Sequence, residues 1–158
     1  MKTLTLILFM LVNVAFSQDC KTLIKTTSNG PETMKDKLSF NAITIDVWSF
    51  NVYSGIIIDF ELVNKVARFN EYSTIDIIFE DGDKLHFDNK SKTLSNQFVL
   101  SFSSSYDNES QLKKLYTKEI IRLQVVYLGV NELEIAIIKL SDKESDQIKQ
   151  TIKCLSKQ

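Results

Sequence analysis

The chain predicts an α+β fold that is mainly antiparallel β. The expected form is a meander or hairpin sheet, or a sandwich, with a C-terminal helix packed on it. Three observations carry this. Apolar residues recur at every second position at Ile56, Ile58, Phe60 and Leu62, at Ile75, Ile77 and Phe79, and at Leu85 and Phe87. Strand side chains alternate between faces, so each set forms one apolar stripe. Asp81-Gly82-Asp83 stands between the last two stripes and supplies the positive φ that a tight hairpin loop needs. The period changes at the C-terminus, where Ser141-Asp142-Lys143-Glu144 is a capping-box sequence ahead of Ile148, Ile152 and Leu155 on one helical face.

The first element is a leader. Lys2 precedes an apolar run from Leu4 to Val14, and Ala15-Phe16-Ser17 follows. A basic start, a short apolar core and small residues at −3 and −1 make a secretory signal peptide over residues 1–17. The run is too short for a membrane span, which needs about 20 apolar residues. Residues 18–158 then form a single β-rich domain, secreted or periplasmic, with no transmembrane helix. Cys20 is not a lipidation site, because Gln18 and Asp19 rather than a small apolar residue stand before it.

Residues 20–25 predict a short first strand ended by Asn29-Gly30-Pro31. Over residues 38–52 Leu38 and Phe40 alternate, then Ile43, Ile45 and Val47, with a change of phase near Asn41-Ala42 that marks a bulge or a turn. Trp48, Phe50 and Val52 take the opposite parity, so both faces of this stretch are apolar and it is expected between two layers. Residues 56–66, 73–80 and 84–87 are expected as an antiparallel meander at the centre of one sheet. A polar connection over 88–97 leads to the stripe Phe98, Leu100, Phe102. A helical turn is expected over 109–116, with Asn108 as N-cap and Leu112, Leu115 and Tyr116 on one face. Ile121, Leu123, Val125 and Tyr127 alternate next. Leu128-Gly129-Val130-Asn131 turns the chain, and Leu133, Ile135 and Ile137 run back in a second hairpin. The helix over 141–155 carries Asp142 and Glu144 at its start and Lys149 and Lys153 near its end, signs that complement its dipole.

Two cysteines allow one connectivity, and in an exported chain Cys20 and Cys154 are expected to form a disulfide tying the termini together. A redox pair or a metal site is disfavoured by the absence of Cys-x-x-Cys and by a single histidine. The formal net charge of −1 becomes one unit more negative once Lys2 leaves with the leader. That leaves no basic excess to grip phosphates, which argues against nucleic acid as a partner. Ten Phe and five Tyr supply a core, and four Gly with one Pro leave no linker or low-complexity tract.

No catalytic residue, metal site or cofactor is expected. Ser–His–Asp and Cys–His systems need a histidine, and His86 sits between Leu85 and Phe87 facing away from their stripe, toward solvent. Glu80, Asp81 and Asp83 cluster at a hairpin tip without the spacing of a calcium loop, and a solvated turn is the plainer reading. Asp59 and Glu61 share a strand face and could serve a carboxylate-based hydrolase, although such pairs more often mark a wet face. Trp48, Phe50 and Tyr53 form a candidate ligand platform for sugar or peptide, with Phe98, Phe102 and Tyr106 considered alongside, against the plainer reading of core aromatics. Asn89-Lys90-Ser91 and Asn108-Glu109-Ser110 fit a glycosylation sequon, which carries meaning only in a eukaryotic host.

The Asp81-Gly82 hairpin, the Leu112/Leu115 turn, Lys118-Glu119-Ile120-Ile121-Arg122-Leu123 opening a strand, and Ile148-Lys149 with Ile152-Lys153-Cys154-Leu155 at the close resemble a group of small exported bacterial proteins. Those share a signal peptide, a β-rich body and a late cysteine, and the resemblance covers about the last half of the chain. It implies a bacterial periplasm or exterior and transfers no activity. The expectation is therefore a non-enzymatic binding or interaction module for a protein or small ligand. A carboxylate hydrolase and a structural cell-envelope protein are the alternatives.

Overall fold

A computed structural model of the chain describes residues 20, 23–26, 32–50, 55–103 and 108–156. The leader expected over residues 1–17 lies outside them. The described elements are β1 (Ile24–Thr26), β2 (Glu32–Met34), β3 (Leu38–Ser39), β4 (Ile43–Phe50), β5 (Gly55–Leu62), β6 (Thr74–Phe79), β7 (Lys84–Asp88), β8 (Gln97–Ser103), α1 (Glu109–Thr117), β9 (Ile120–Leu128), β10 (Leu133–Lys139) and α2 (Asp142–Leu155). Every strand pairing is antiparallel. The strands make two open sheets: the first runs β1-β2-β4-β5-β8 with β3 also on β4, and the second runs β10-β9-β6-β7. The predicted class, antiparallel β with a C-terminal helix packed on it, is what the chain adopts.

Each sheet turns one stripe inward. Ile43, Ile45 and Val47 of β4, Ile56, Ile58 and Phe60 of β5, and Phe98, Leu100 and Phe102 of β8 are buried, as are Ile75, Ile77, Phe79, Leu85, Leu123 and Val125 of the second sheet. They belong to one hydrophobic core. Phe87 of β7 meets Phe102 of β8 edge to face with ring centroids 5.9 Å apart, an arrangement the ring quadrupoles favour.

The expected single meander over residues 56–87 does not form. β5 lies in the first sheet, whereas the β6–β7 hairpin joins β9 in the second. Residues 63–73 explain the switch. Val63 and Val66 are exposed, so the strand ends at Leu62 rather than at Val66, and Ala67 and Phe69 then dive into the core. Arg68 bridges to Leu128 of the second sheet and Phe69 to Ser95, just before β8 of the first. This segment carries the chain between the layers. At the N-terminal end, residues 20 and 23 are helical and the first strand begins only at Ile24.

The change of phase near Asn41-Ala42 is a turn between β3 and β4, which pair with each other. Gly82 has φ 81°, as the Asp81-Gly82 hairpin requires. Ser141 caps α2 through a full capping box: its hydroxyl accepts from the Glu144 amide, and its own amide donates to Glu144 Oε2 at 2.8 Å. Ile148, Ile152 and Leu155 of α2 are buried, each worth about 1.5–3 kcal/mol of transfer free energy. The Ile120 amide donates to Ser145 Oγ at 2.9 Å and ties α2 to the head of β9. Asn108 does not cap α1 with its side chain. Its amide nitrogen donates instead to the Ser101 carbonyl at 2.8 Å, holding the helix start on β8. Cys20 and Cys154 are joined, with Cα atoms 5.6 Å apart across a separation of 134 residues. Among the described residues no helix is long and apolar enough to cross a membrane.

Candidate functional site

The outward face of the first sheet follows from the register. Thr33 stands opposite Trp48 and Trp48 opposite Ile57, with Ser101 beyond; Asp46 stands opposite Asp59, with Val99 beyond; Thr44 stands opposite Glu61, with Gln97 beyond. Rows two residues apart on one face are about 7 Å apart, so the three rows span about 14 Å. Trp48 is therefore part-buried on a face that also carries three carboxylates and an amide. It is not packed between two layers.

Those polar groups are tied to one another. Lys37 Nζ pairs with Asp46 Oδ2 at 3.2 Å, and Thr33 Oγ1 donates to Asp46 Oδ1 at 3.0 Å. Gln97 Nε2 donates to Asp59 Oδ2 at 3.0 Å, and Asn96 Nδ2 to Glu61 Oε1 at 3.2 Å. Asp59 Oδ1 is buried and has no hydrogen-bond partner among the described residues. Burial is the main reason its carboxyl is pushed up to about 6; Lys37 pulls it down, while Glu61 and Asp46 push it further up. The pair the sequence singled out, Asp59 and Glu61, does share this face, and Asp46 is the third carboxylate that spacing along one strand did not reveal. Beyond Glu61 the face opens into a groove of about 690 Å³ lined by Thr44, Glu61, Lys65, Arg68, Leu94 and Asn96, among others.

Of the expected platform, Trp48 alone can be placed. Phe50 contributes its backbone to β4, but its side chain and the whole of Tyr53 lie outside the described residues, as does Tyr106. Phe98 and Phe102 point inward and are core.

The hairpin tip is more than a solvated turn. Lys118 Nζ reaches Asp81 Oδ2 at 2.6 Å and Asp83 Oδ2 at 2.7 Å, and Lys114 Nζ reaches Asp83 Oδ2 at 2.8 Å. The Lys114 and Lys118 ammonium groups hold the Asp83 carboxyl well below the usual range. Two lysines from the end of α1 thus occupy the carboxylates that a calcium ion would need, and among the described residues no group of three His, Cys, Asp or Glu could hold a metal.

His86 lies on the outer face of the second sheet, as parity implies, yet it is not simply solvated. Its Nδ1 lies 2.5 Å from Asp76 Oδ1 and its Nε2 3.1 Å from Asp88 Oδ1. Only the imidazolium can donate from both nitrogens, so Asp76 first, and Asp88 with it, raises His86 above its ordinary value although partial burial opposes this. Lys84 Nζ joins Asp76 Oδ2 at 3.3 Å. No nucleophile is hydrogen-bonded to this pair among the described residues, and the cluster is an ion-pair ladder along the β6–β7 hairpin.

No protein-family model matches the chain, and no curated protein or solved structure is similar to it at a significant level.

Proposed function

We propose that the protein is an exported, non-enzymatic binding module, acting outside the cytoplasm, whose ligand surface is the outer face of the first sheet. The observation that carries this is the company Trp48 keeps. An indole plane lies one row from Asp46 and Asp59 and two rows from Glu61 and Gln97, beyond which the face opens into the groove. A hydrophobic plane flanked by carboxylates and amides suits a hydroxyl-rich ligand such as an oligosaccharide: the ring stacks on the apolar C–H face, and the carboxylates accept from the hydroxyls. Export is supported by the leader-like residues 1–17 and by the Cys20–Cys154 bridge, which is compatible with an oxidising compartment. Trp48→Ala is expected to abolish, or weaken at least tenfold, retention on the oligosaccharides that wild type binds in a glycan-array screen. Its melting point should stay within a few degrees. Wild-type retention that Trp48→Ala leaves unchanged would remove this face from consideration.

The hydrolase reading rests on one observation, the raised carboxyl of Asp59. A general acid needs a proton near neutral pH, and a group pushed up to about 6 approaches that. Glycoside turnover lost in Asp59→Asn but kept in Trp48→Phe would favour the hydrolase over the binding module.

A further inference from the structure

The segment that carries the chain from the first sheet to the second also sets two cations at the end of the outer face. Asn64 Oδ1 accepts from the Val66 amide at 3.0 Å and the Asn64 carbonyl accepts from the Ala67 amide at 3.2 Å, which closes residues 64–67 into a turn. Arg68 follows with its backbone tied to Leu128 by bonds of 2.9 and 2.8 Å, and Phe69 is tied to Ser95 by bonds of 2.6 and 3.1 Å. The guanidinium is held as well as its base. Arg68 Nη1 donates to the Ala67 carbonyl at 2.7 Å and to the Lys65 carbonyl. Both hydrogens of Nη1 are thereby used, and those of Nη2 and Nε remain, a fork able to grip a carboxylate with two parallel bonds. Neither Arg68 nor Lys65 has an ion-pair partner among the described residues. Both line the groove of about 690 Å³ beyond Glu61, a size within the roughly 300–1,000 Å³ of small-ligand sites. The rest of the lining is of another kind. Glu61 Oε1 accepts from Asn96 Nδ2 at 3.2 Å, which leaves Oε2 to accept from a ligand, and exposed Val63 and Leu94 add apolar surface.

We infer that this groove takes a sugar acid such as a uronic acid residue. Arg68 and Lys65 hold its carboxylate, Glu61 accepts from its hydroxyls, and Val63 and Leu94 lie against its C–H face. For the direction of a longer ligand the inference rests on the reading of the outer face as a saccharide surface: the acidic residue sits in the groove, and neutral residues run over Asp59 and Asp46 toward Trp48. Charge selects this occupant and this direction. Asp46, Asp59 and Glu61 outnumber Lys37 along the face and disfavour an anion there, whereas the two cations of the groove favour one. A neutral sugar would leave the Arg68 fork unfilled. A bare inorganic anion would leave Glu61 and the apolar lining unused.

The test is a titration of the disulfide-bonded chain, followed by NMR, with sodium methyl glucuronide, methyl glucoside and inorganic phosphate. The glucuronide is expected to move the amide signals of Arg68, Leu94, Ser95 and Asn96 with half-saturation on the order of 1–10 mM, about tenfold below the glucoside. Arg68→Gln should lose about that tenfold for the glucuronide and leave the glucoside unchanged, and Lys65→Gln, at an exposed position, should lose about threefold. Trp48→Ala should alter neither, because the indole stands more than about 14 Å from the groove. The absence of a saturable glucuronide shift below about 50 mM overturns the inference. So does equal affinity for glucuronide and glucoside, or an unchanged glucuronide affinity in either groove variant; Lys65→Gln decides where Arg68→Gln does not fold. Phosphate bound as tightly as the glucuronide would assign the groove to phosphate-bearing ligands and overturn the sugar acid. Glycan retention that depends on Trp48 but shows no preference for the glucuronide strikes this inference alone. Glucuronide binding that depends on Arg68, with glycan retention indifferent to Trp48→Ala, strikes the outer-face reading alone.

Discussion

Replacing Cys154 by serine opens the covalent loop that spans 134 residues. In the chain-entropy model a loop of that size restricts the unfolded ensemble by about 5 kcal/mol at 25 °C. Native bridges removed from small domains usually cost about 2–5 kcal/mol, because strain and residual structure reduce the ideal figure. A second effect adds to it. Cys154 is only 5% exposed on the last turn of α2, and a serine hydroxyl there without a partner costs about 1–3 kcal/mol. A loss of about 4 kcal/mol is therefore expected, which for a domain of about 140 residues lowers the melting point by roughly 10–15 °C. Calorimetry under oxidising conditions reads this directly. Cys20→Ser breaks the same bond, so the double variant should lose no more than the sum of the two hydroxyl effects beyond one bridge. Hydrogen exchange should show the last turn of α2 opening first, since Ile152 and Leu155 then hold it without the covalent bridge. A Cys154→Ser protein that melts within about 3 °C of wild type would refute the argument.

The remaining predictions concern charge. Asp59 is pushed up to about 6 in the folded chain from its ordinary value of 3.8, so the native state holds the extra proton and stability falls as pH rises from about 4 to about 6. Asp59→Asn removes that fall. Allowing for solvent screening of a half-exposed group, it should stabilise by about 1 kcal/mol at pH 7 and change little at pH 4; a destabilised Asn variant at pH 7 would count against burial as the cause. His86 gives the same direction from the opposite cause, since its charged form is favoured rather than penalised. Its folded value is raised above 6.5 by Asp76, so its contribution is complete below 6.5 and is lost as pH rises through the raised value. His86→Gln should flatten that decline in chemical-denaturation midpoints, and an unaltered profile would mean that the imidazolium is not held by Asp76 in solution.

Strand existence was legible because parity is a local property, but which sheet a strand joins is not. Ile56 to Leu62 and Ile75 to Phe79 show the same alternation, yet they sit in different layers because Ala67 and Phe69, short of any stripe, bury themselves between. Parity also fails where a register shifts. The pairing of β6 with β9 slips between Ile78 and Phe79, so Ile120 enters the core and Ile121, the start of the expected stripe, is 39% exposed. In β10 the stripe Leu133, Ile135, Ile137 faces outward, because the register with β9 sets Ala136 and Ile138 against Val125 and Leu123 in the core. Three apolar residues at period two signal a strand, and only the partner strand says which face they occupy.

The same logic separates what could be read of the sites. Asp76 and His86 each lie five residues from Asp81, so the hairpin centred there places them opposite one another, as the observed register does. That contact was open to arithmetic on the sequence. Asp46 beside Asp59 was less accessible, because no Asn-Gly or Asp-Gly pair stands between β4 and β5 from which their register could be counted. The consequence for function is that the carboxylate face is a property of three strands rather than of the Asp59–Glu61 spacing: Asp46 comes from β4, Gln97 from β8, and Lys37 from the approach to β3. A ligand crossing that face would meet Asp59 with its carboxyl raised by burial and by the neighbouring Glu61 and Asp46 charges. Lys37 neutralises one end and Asp59 is held near the midpoint of its titration in mildly acidic medium. The net charge offered to a ligand would therefore depend on pH even though no histidine lies on this face.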